Sequence, residues 1–229
     1  MIIGGFLKFT LIDYPGKIAA SIFTRGCNFR CPYCHNPQLV LPRRYQLPLD
    51  NNEILNLLQE RFGRLDGIVI TGGEPLLQEG LEIFLEKLKA IGYAVKLDTN
   101  GSRANPLKKL INRELVDYIA MDIKAPFQHY VKSIQVPVNL EQIKKSIDII
   151  RESGLDYEFR TTIARNLHTN AEIKEISEFL VPGDNYYLQN YIEARRVGHT
   201  NMELQPFEKS ELEELTAYFC GLGINCQSR

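Results

Sequence analysis

Short apolar runs rich in β-branched and aromatic residues recur along the chain, and each is followed by a loop and a segment of helical periodicity. The runs cover residues 17–23, 67–71, 93–98, 118–123, 156–163 and 186–191. Between them lie amphipathic stripes. Leu55, Leu58 and Phe62 form one, opened by Asp50 with Glu53 in capping-box order and stopped at Gly63. Leu81, Phe84, Leu85, Leu88 and Ile91 form the next, ended by Gly92. Asn105 and Pro106 open a short helix, and Asn139 with Gln142 opens a longer one closed by Gly154. Two more helices are predicted from about Asn170 and about Ser210, the last boxed by Glu213.

Six strand–helix units in alternation predict an α/β fold with a parallel sheet under helices. Right-handed crossovers wind such a sheet one way, as a partial barrel or as an open doubly wound sheet, and the pattern alone does not separate the two. Six units fall short of the closed eight-stranded barrel. No low-complexity tract or linker divides the 229 residues, so a single domain over residues 1–229 is expected. The segment from about 192 to 229 is the least assigned.

Composition changes this picture little. Hydrophobic residues make up 44% and the formal net charge is −1, which suggests neither nucleic acid nor an anionic membrane as partner. No apolar run approaches the roughly 20 residues that span a bilayer. The opening MIIGGFLKFTLIDYPG lacks the basic and apolar regions of a secretory signal. A cytoplasmic protein is expected.

The cysteines say more. There are five, three of them crowded between Cys27 and Cys34, and an odd total does not make a disulfide framework. Cys220 and Cys226 near the end are expected to be buried or incidental thiols. His129, His168 and His199 stand in polar stretches and are expected to be solvated, without a role.

GCNFRCPYCHN spaces its thiols C-x3-C-x2-C. Thiolates suit both iron–sulfur clusters and zinc. His35 could complete a zinc site, although adjacent residues rarely point at one ion and no second pair at finger spacing follows. Three ligands on a four-iron cube leave one iron open to a substrate. Purely structural thiols are the third reading.

Other chemistry gathers at strand ends. ITGGEP, residues 70–75, follows the second run, and its paired glycines either let a ligand approach the backbone or form a turn with Glu74 as a helix-start charge. LDTNG and MDIKAP end the third and fourth runs, placing Asp98 and Asp122 where α/β proteins bind ligands, unless they are ordinary loop polars. In YEFRTTI, alternation puts Arg160 on one face with Glu158 and Thr162, opposite Tyr157, Phe159 and Thr161. That arginine serves either a bound anion or a salt bridge with Glu158 or another acid. LQNY brings Gln189 and Asn190 to the sixth run. Sites at the C-terminal ends of successive strands are where barrel chemistry is assembled.

The cysteine spacing, with Tyr33 just before the third cysteine, resembles the signature of the radical S-adenosylmethionine (SAM) superfamily. The longer stretch DYPGKIAASIFTRGCNFRCPYCHNPQLV is similar to the N-terminal region of glycyl-radical enzyme activating enzymes, most of all the anaerobic ribonucleoside-triphosphate reductase activating proteins. The His35–Asn36 pair is common among them. The resemblance is dense over residues 10–40, patchy to about 165 and thin beyond.

This resemblance implies a partial (β/α)6 barrel of parallel strands with outer helices. It implies a [4Fe–4S] cluster on Cys27, Cys31 and Cys34 within a loop spanning residues 24–36, without an auxiliary cluster. For SAM it implies contacts from Tyr33, from Gly72, Gly73 and Glu74 to the ammonium group, from Asp98 and Asp122 in the SAM and cation region, and from Lys124, Arg160 and Gln189. The implied chemistry is reductive cleavage of SAM to a 5′-deoxyadenosyl radical, which takes the α-hydrogen of a glycine on a partner enzyme. Anaerobic ribonucleotide reductase is the preferred partner and pyruvate formate-lyase or a relative the alternative, with a flavodoxin- or ferredoxin-type electron donor. A small-molecule radical SAM enzyme and a non-enzymatic zinc or iron–sulfur binding module are the competing readings. An incomplete barrel should leave a lateral opening, bordered by residues 194–202 with Arg195 and Arg196 and by the tail after Gly221 with Arg229.

Overall fold

The computed structural model describes residues 1–192 and 202–229. Arg195, Arg196 and His199, with most of the segment expected to border the opening, lie outside the described residues.

One eight-stranded sheet carries the fold, its strands neighbouring one another in chain order. They are β1 (Ile3–Thr10), β2 (Ala19–Thr24), β3 (Gly67–Gly72), β4 (Ala94–Thr99), β5 (Tyr118–Asp122), β6 (Asp156–Ile163), β7 (Asn185–Asn190) and β8 (Asn225–Ser228). β1 pairs antiparallel to β2, and every other neighbouring pair is parallel. The helices are α1 (Pro37–Val40), α2 (Asn51–Glu60), α3 (Leu81–Ile91), α4 (Ala104–Asn112), α5 (Tyr130–Ile134), α6 (Leu140–Glu152), α7 (Asn170–Glu175) and α8 (Lys209–Gly221).

The six predicted units are β2 to β7 with their helices, so the α/β, largely parallel partial barrel stands. β1 and β8 add one strand at each edge of those six. β1 escapes a pattern reading because it is an edge strand with Gly4 and Gly5 in its first half and little burial in its second. β8 is four residues long and buries only Cys226.

Local signals explain most boundaries. The Asp50 carboxylate accepts from the backbone N–H groups of Asn52 and Glu53, satisfying donors that open a helix. Gly92 ends α3 at φ +107°, where a side chain would be strained. α8 begins at Lys209, and its box is Glu208 with Glu211, not Ser210 with Glu213.

Alternation along the strands sorts side chains onto two faces. The helix-facing side is apolar: Ile68, Ile70, Val95, Leu97, Ile119, Met121, Phe159 and Leu188 join one buried core with Leu85, Leu88, Leu107, Ile147 and Phe219. Each such side chain contributes about 1.5–3 kcal/mol by leaving water. The inner face is different. It presents Lys96, Asp98, Asp122, Glu158, Arg160, Thr162 and Gln189, many of them joined by ion pairs. Tyr14 closes off part of this face, packing with Ala19 and Val69, its ring 5.8 Å from that of Tyr118.

The tail after Gly221 is structural. It forms β8, and Arg229 turns back to pair with Glu158 at 2.9 Å. Its guanidinium also covers the ring of Tyr187, 4.2 Å from the centroid. Arg229 is therefore anchored to the inner face and not a free rim residue. Among the described residues no helix is long and apolar enough to cross a membrane.

Candidate active site

The cysteine loop leaves β2 at Thr24 and is held from several sides. The Gly26 N–H donates to Leu39 O, and the Arg30 N–H to Ile134 O. The Arg30 guanidinium donates to the carbonyls of Cys27 (2.7 Å) and Phe29 (2.8 Å), curling the chain around itself. Cys27, Cys31 and Cys34 all line one cavity of about 220 Å³ and form no disulfide. Burial pushes the Cys27 thiol up to about 12 and the Cys31 thiol up to about 11, and it raises Cys34 as well. A metal group that binds them must displace protons and supply the missing positive charge.

The glycine motif is tied to this loop. The Gly73 N–H donates to Thr24 O and the Glu74 N–H to Gly26 O, both at 2.8 Å. A Cβ at Gly73 would overlap the Gly26 carbonyl, and Gly72 holds φ +108°. Gly72 and Gly73 line the cavity, but the close neighbour that demands glycine at 73 is the cysteine loop itself, not space kept for a ligand.

Glu74 does not reach the cavity. Its buried carboxylate accepts from the Leu76 N–H (3.0 Å), the Thr99 hydroxyl (2.8 Å) and the Asn100 N–H (2.7 Å). It thus caps the short turn after β3 and fastens it to the end of β4. Burial pushes the carboxyl up to about 7, although the three hydrogen bonds oppose that.

Opposite the thiols stand the charges. Arg160 Nε donates to Asp122 at 3.0 Å, and its Nη1 lies 3.3 Å from Asp98 and 3.7 Å from Glu158. Lys124 Nζ reaches the other oxygen of Asp122 at 3.0 Å and lies 5.7 Å from the ring centroid of Tyr33. Burial alone would raise Asp122, but Arg160 and Lys124 outweigh it and leave the carboxyl at about 2. Asp98 is likewise lowered against burial, by Arg160 and Lys96. Of the two expectations for Arg160 the salt bridge is present, and the residue also lines the cavity. Tyr33, Thr162 and Gln189 complete the wall. Asn190 does not, because its carboxamide is spent on the backbone N–H and C=O of Phe207.

Three residues escaped the sequence reading. Lys96 is 1% exposed, with its ammonium 2.6 Å from Asp98. Its position two residues before Asp98 on one strand was the available signal. Asn100 lines the cavity beside Cys27 and carried no signal beyond its place after Asp98. His168, expected to be solvated, is buried: Nδ1 accepts from the Ala164 N–H, and Nε2 lies 3.2 Å from the Ser133 hydroxyl. Burial pushes it down to about 4. His129 sits 3.2 Å from Glu172. Cys226 is buried and Cys220 exposed.

The donor set fits an iron–sulfur cluster with SAM beside it. Three thiols face one cavity, yet among the described residues no three His, Cys, Asp or Glu side chains converge on a single ion. Spread thiols suit a cube of several irons better than one zinc. The facing wall offers acids for an ammonium group and Arg160 with Lys124 for a carboxylate, as a bound amino acid requires.

Comparison with known proteins agrees. Residues 21–180 match the model of the radical SAM superfamily. A Methanocaldococcus jannaschii protein, provisionally named a glycyl-radical enzyme activating enzyme, is 33% identical over 219 residues, covering 93% of this chain and 90% of its own. Among solved structures, a domain of the pyruvate-formate lyase-activating enzyme from Bacteroides vulgatus superposes with a TM-score of 0.59 at 20% identity, covering 71% of this chain and 98% of that one. SuiB of Streptococcus suis bound to S-adenosylmethionine gives 0.69 at 14% identity over 90% of this chain, which spans 48% of that longer protein. Cofactor chemistry of this family rests on a [4Fe–4S] cluster and SAM. A cysteine-lined cavity at the strand ends, a matching family model and a relative alike along nearly its whole length together place the chain in the radical SAM superfamily, among the glycyl-radical enzyme activating enzymes.

Proposed function

We propose that this chain is a cytoplasmic activating enzyme that generates a glycyl radical on anaerobic ribonucleoside-triphosphate reductase, drawing its electron from a flavodoxin- or ferredoxin-type donor. Cys27, Cys31 and Cys34 each bind one iron of the cluster. When bound, cluster and SAM supply reductive cleavage of the sulfonium and abstraction of hydrogen from the substrate.

The chain's own residues bind and orient. Gly72 and Gly73 offer backbone to SAM, Asp98 and Asp122 face its ammonium, and Lys124 and Arg160 face its carboxylate. Tyr33 and Gln189 bound the pocket, and Glu74 acts from behind by holding the glycine turn. Carrying this reading is one observation: three thiols, one buried and two half-buried, share a cavity with a balanced wall of acids and bases. The choice of partner rests on the likeness of residues 10–40 to the reductase-activating proteins, beside the overall similarity to a named activating enzyme.

Anaerobic reconstitution tests both layers. Iron and sulfide should assemble on the wild type and on Cys220→Ala, but not on Cys27→Ala, Cys31→Ala or Cys34→Ala. A loaded, SAM-cleaving Cys31→Ala protein would end the ligand assignment. Electron paramagnetic resonance of candidate partners after incubation with the loaded enzyme, SAM and reductant should give a glycyl signal on the reductase. A signal on a pyruvate formate-lyase relative instead would redirect the partner, and SAM cleavage with no protein radical would favour a small-molecule substrate.

A further inference from the structure

Asn100, directly after β4, is 6% exposed, and each of its polar side-chain atoms is engaged. Its Oδ1 accepts from the Ser102 N–H at 3.0 Å. Because that backbone group can only donate, the carboxamide cannot be flipped. Nδ2 therefore points the other way, where it donates to Asn28 Oδ1 at 3.0 Å and stands 3.8 Å from Cys27 Sγ. Asn28 is fixed in turn, since its oxygen must face that donor, and its own Nδ2 then donates to the Ser102 hydroxyl at 2.9 Å. On the far side, the Asn100 N–H donates to Glu74. A buried acid thus holds a side chain whose amide faces a cysteine sulfur. The Phe29 N–H supplies a second donor to that sulfur at 3.3 Å.

A thiol is a weak acceptor, but a metal-bound thiolate is a strong one, and a buried setting strengthens the attraction further. Donors aimed at ligand sulfurs stabilise the more electron-rich state of an iron–sulfur cluster and so raise its potential. The bonds to Ser102 and Asn28 fix the direction of the amide and use only one of its two hydrogens, which leaves the other for the sulfur.

We infer that Asn100 is a positioning residue of the cluster, donating its side-chain N–H to the Cys27 sulfur and making the cluster easier to reduce, with Glu74 holding it in place. The inference rests on Cys27 as a cluster ligand.

The test uses the reconstituted holoprotein. Asn100→Leu removes the amide while keeping the branched shape, and its cluster should titrate at a more negative midpoint potential than the wild type at equal iron and sulfide content. A purely structural role would leave the potential of a fully loaded variant where it was, and that result overturns the inference. A reading that needs no variant to load comes from wild type labelled with [δ-15N]asparagine: pulsed electron paramagnetic resonance of the reduced cluster should detect a 15N coupling. Its absence overturns the inference whatever the variant does. A Cys27→Ala protein that keeps its cluster would instead remove the ligand assignment, and the two failures are distinguishable.

Discussion

The backbone N–H of Glu74 donates to the carbonyl of Gly26 at 2.8 Å, so the turn after β3 and the first residues of the cysteine loop form one hydrogen-bonded unit. Neither segment can shift without the other.

Gly73→Ala or Gly73→Val should therefore fail at the cluster and at SAM together. The added Cβ meets the Gly26 carbonyl and forces the cysteine loop away from β3. Iron content after reconstitution and SAM affinity are expected to fall in parallel. A Gly73→Val protein with a full cluster and weakened SAM binding would show that the glycine serves the ligand directly.

Glu74→Gln should destabilise the chain by about 1–3 kcal/mol despite its shape, because an amide NH2 cannot serve both oxygens' donors and one buried N–H or O–H loses its acceptor. The sign with pH is distinctive. Since burial raises the folded carboxyl to about 7, the advantage of wild type over the variant is greatest below about 4.5 and shrinks as pH rises through 7. Denaturant titration of both proteins at several pH values measures it. A gap that widens with rising pH contradicts the assignment.

His168→Gln addresses the buried imidazole. Folded His168 takes its proton near 4 whereas the unfolded chain takes it near 6.5, so wild type loses stability relative to the variant as pH falls through that window. The loss is on the order of 3 kcal/mol. Ser133 and Tyr33 pack against the ring, and Glu172 and Lys132 act on it from opposite sides in sign. A difference between the two proteins that is flat from pH 7 to pH 4 would place His168 in water.

Truncation after Gly221 should unfold or strongly weaken the protein. It removes β8, the buried Ile224 and Cys226, and the Arg229 partner of Glu158. Burial of Ile224 alone is worth about 1.5–3 kcal/mol. SAM cleavage and partner activation are expected to fall together, and a stable truncated chain that cleaves SAM yet activates nothing would instead assign the tail to partner docking.

Legibility in the sequence followed the physics of each signal. Strands β2 to β7 were readable because β-branched, aromatic or other apolar side chains recur on their helix-facing side, while β1 and β8 draw their order from a neighbour across the sheet, which no local pattern records. Arg160, Asp98 and Asp122 were found because alternation and strand ends locate the inner face. Glu74 was placed in the right motif and on the wrong side of it: its burial depends on Thr99 and Asn100, some 25 residues further on. Polarity suggested water for His168, and only the fold supplies Ser133 and the Ala164 N–H to satisfy it.

Arg160 is already satisfied before any ligand arrives. A carboxylate entering the cavity competes with Asp98 and Asp122 for a single guanidinium, so its affinity is the difference between two paired arrangements. An acid that comes alone leaves Asp98 to Lys96 and Asp122 to Lys124 and adds a negative charge to a buried wall, at a cost that offsets what it gains. A zwitterion trades partners evenly, its ammonium relieving the displaced carboxylate. On the proposed reading, the inner face would therefore favour amino acids over simple anions.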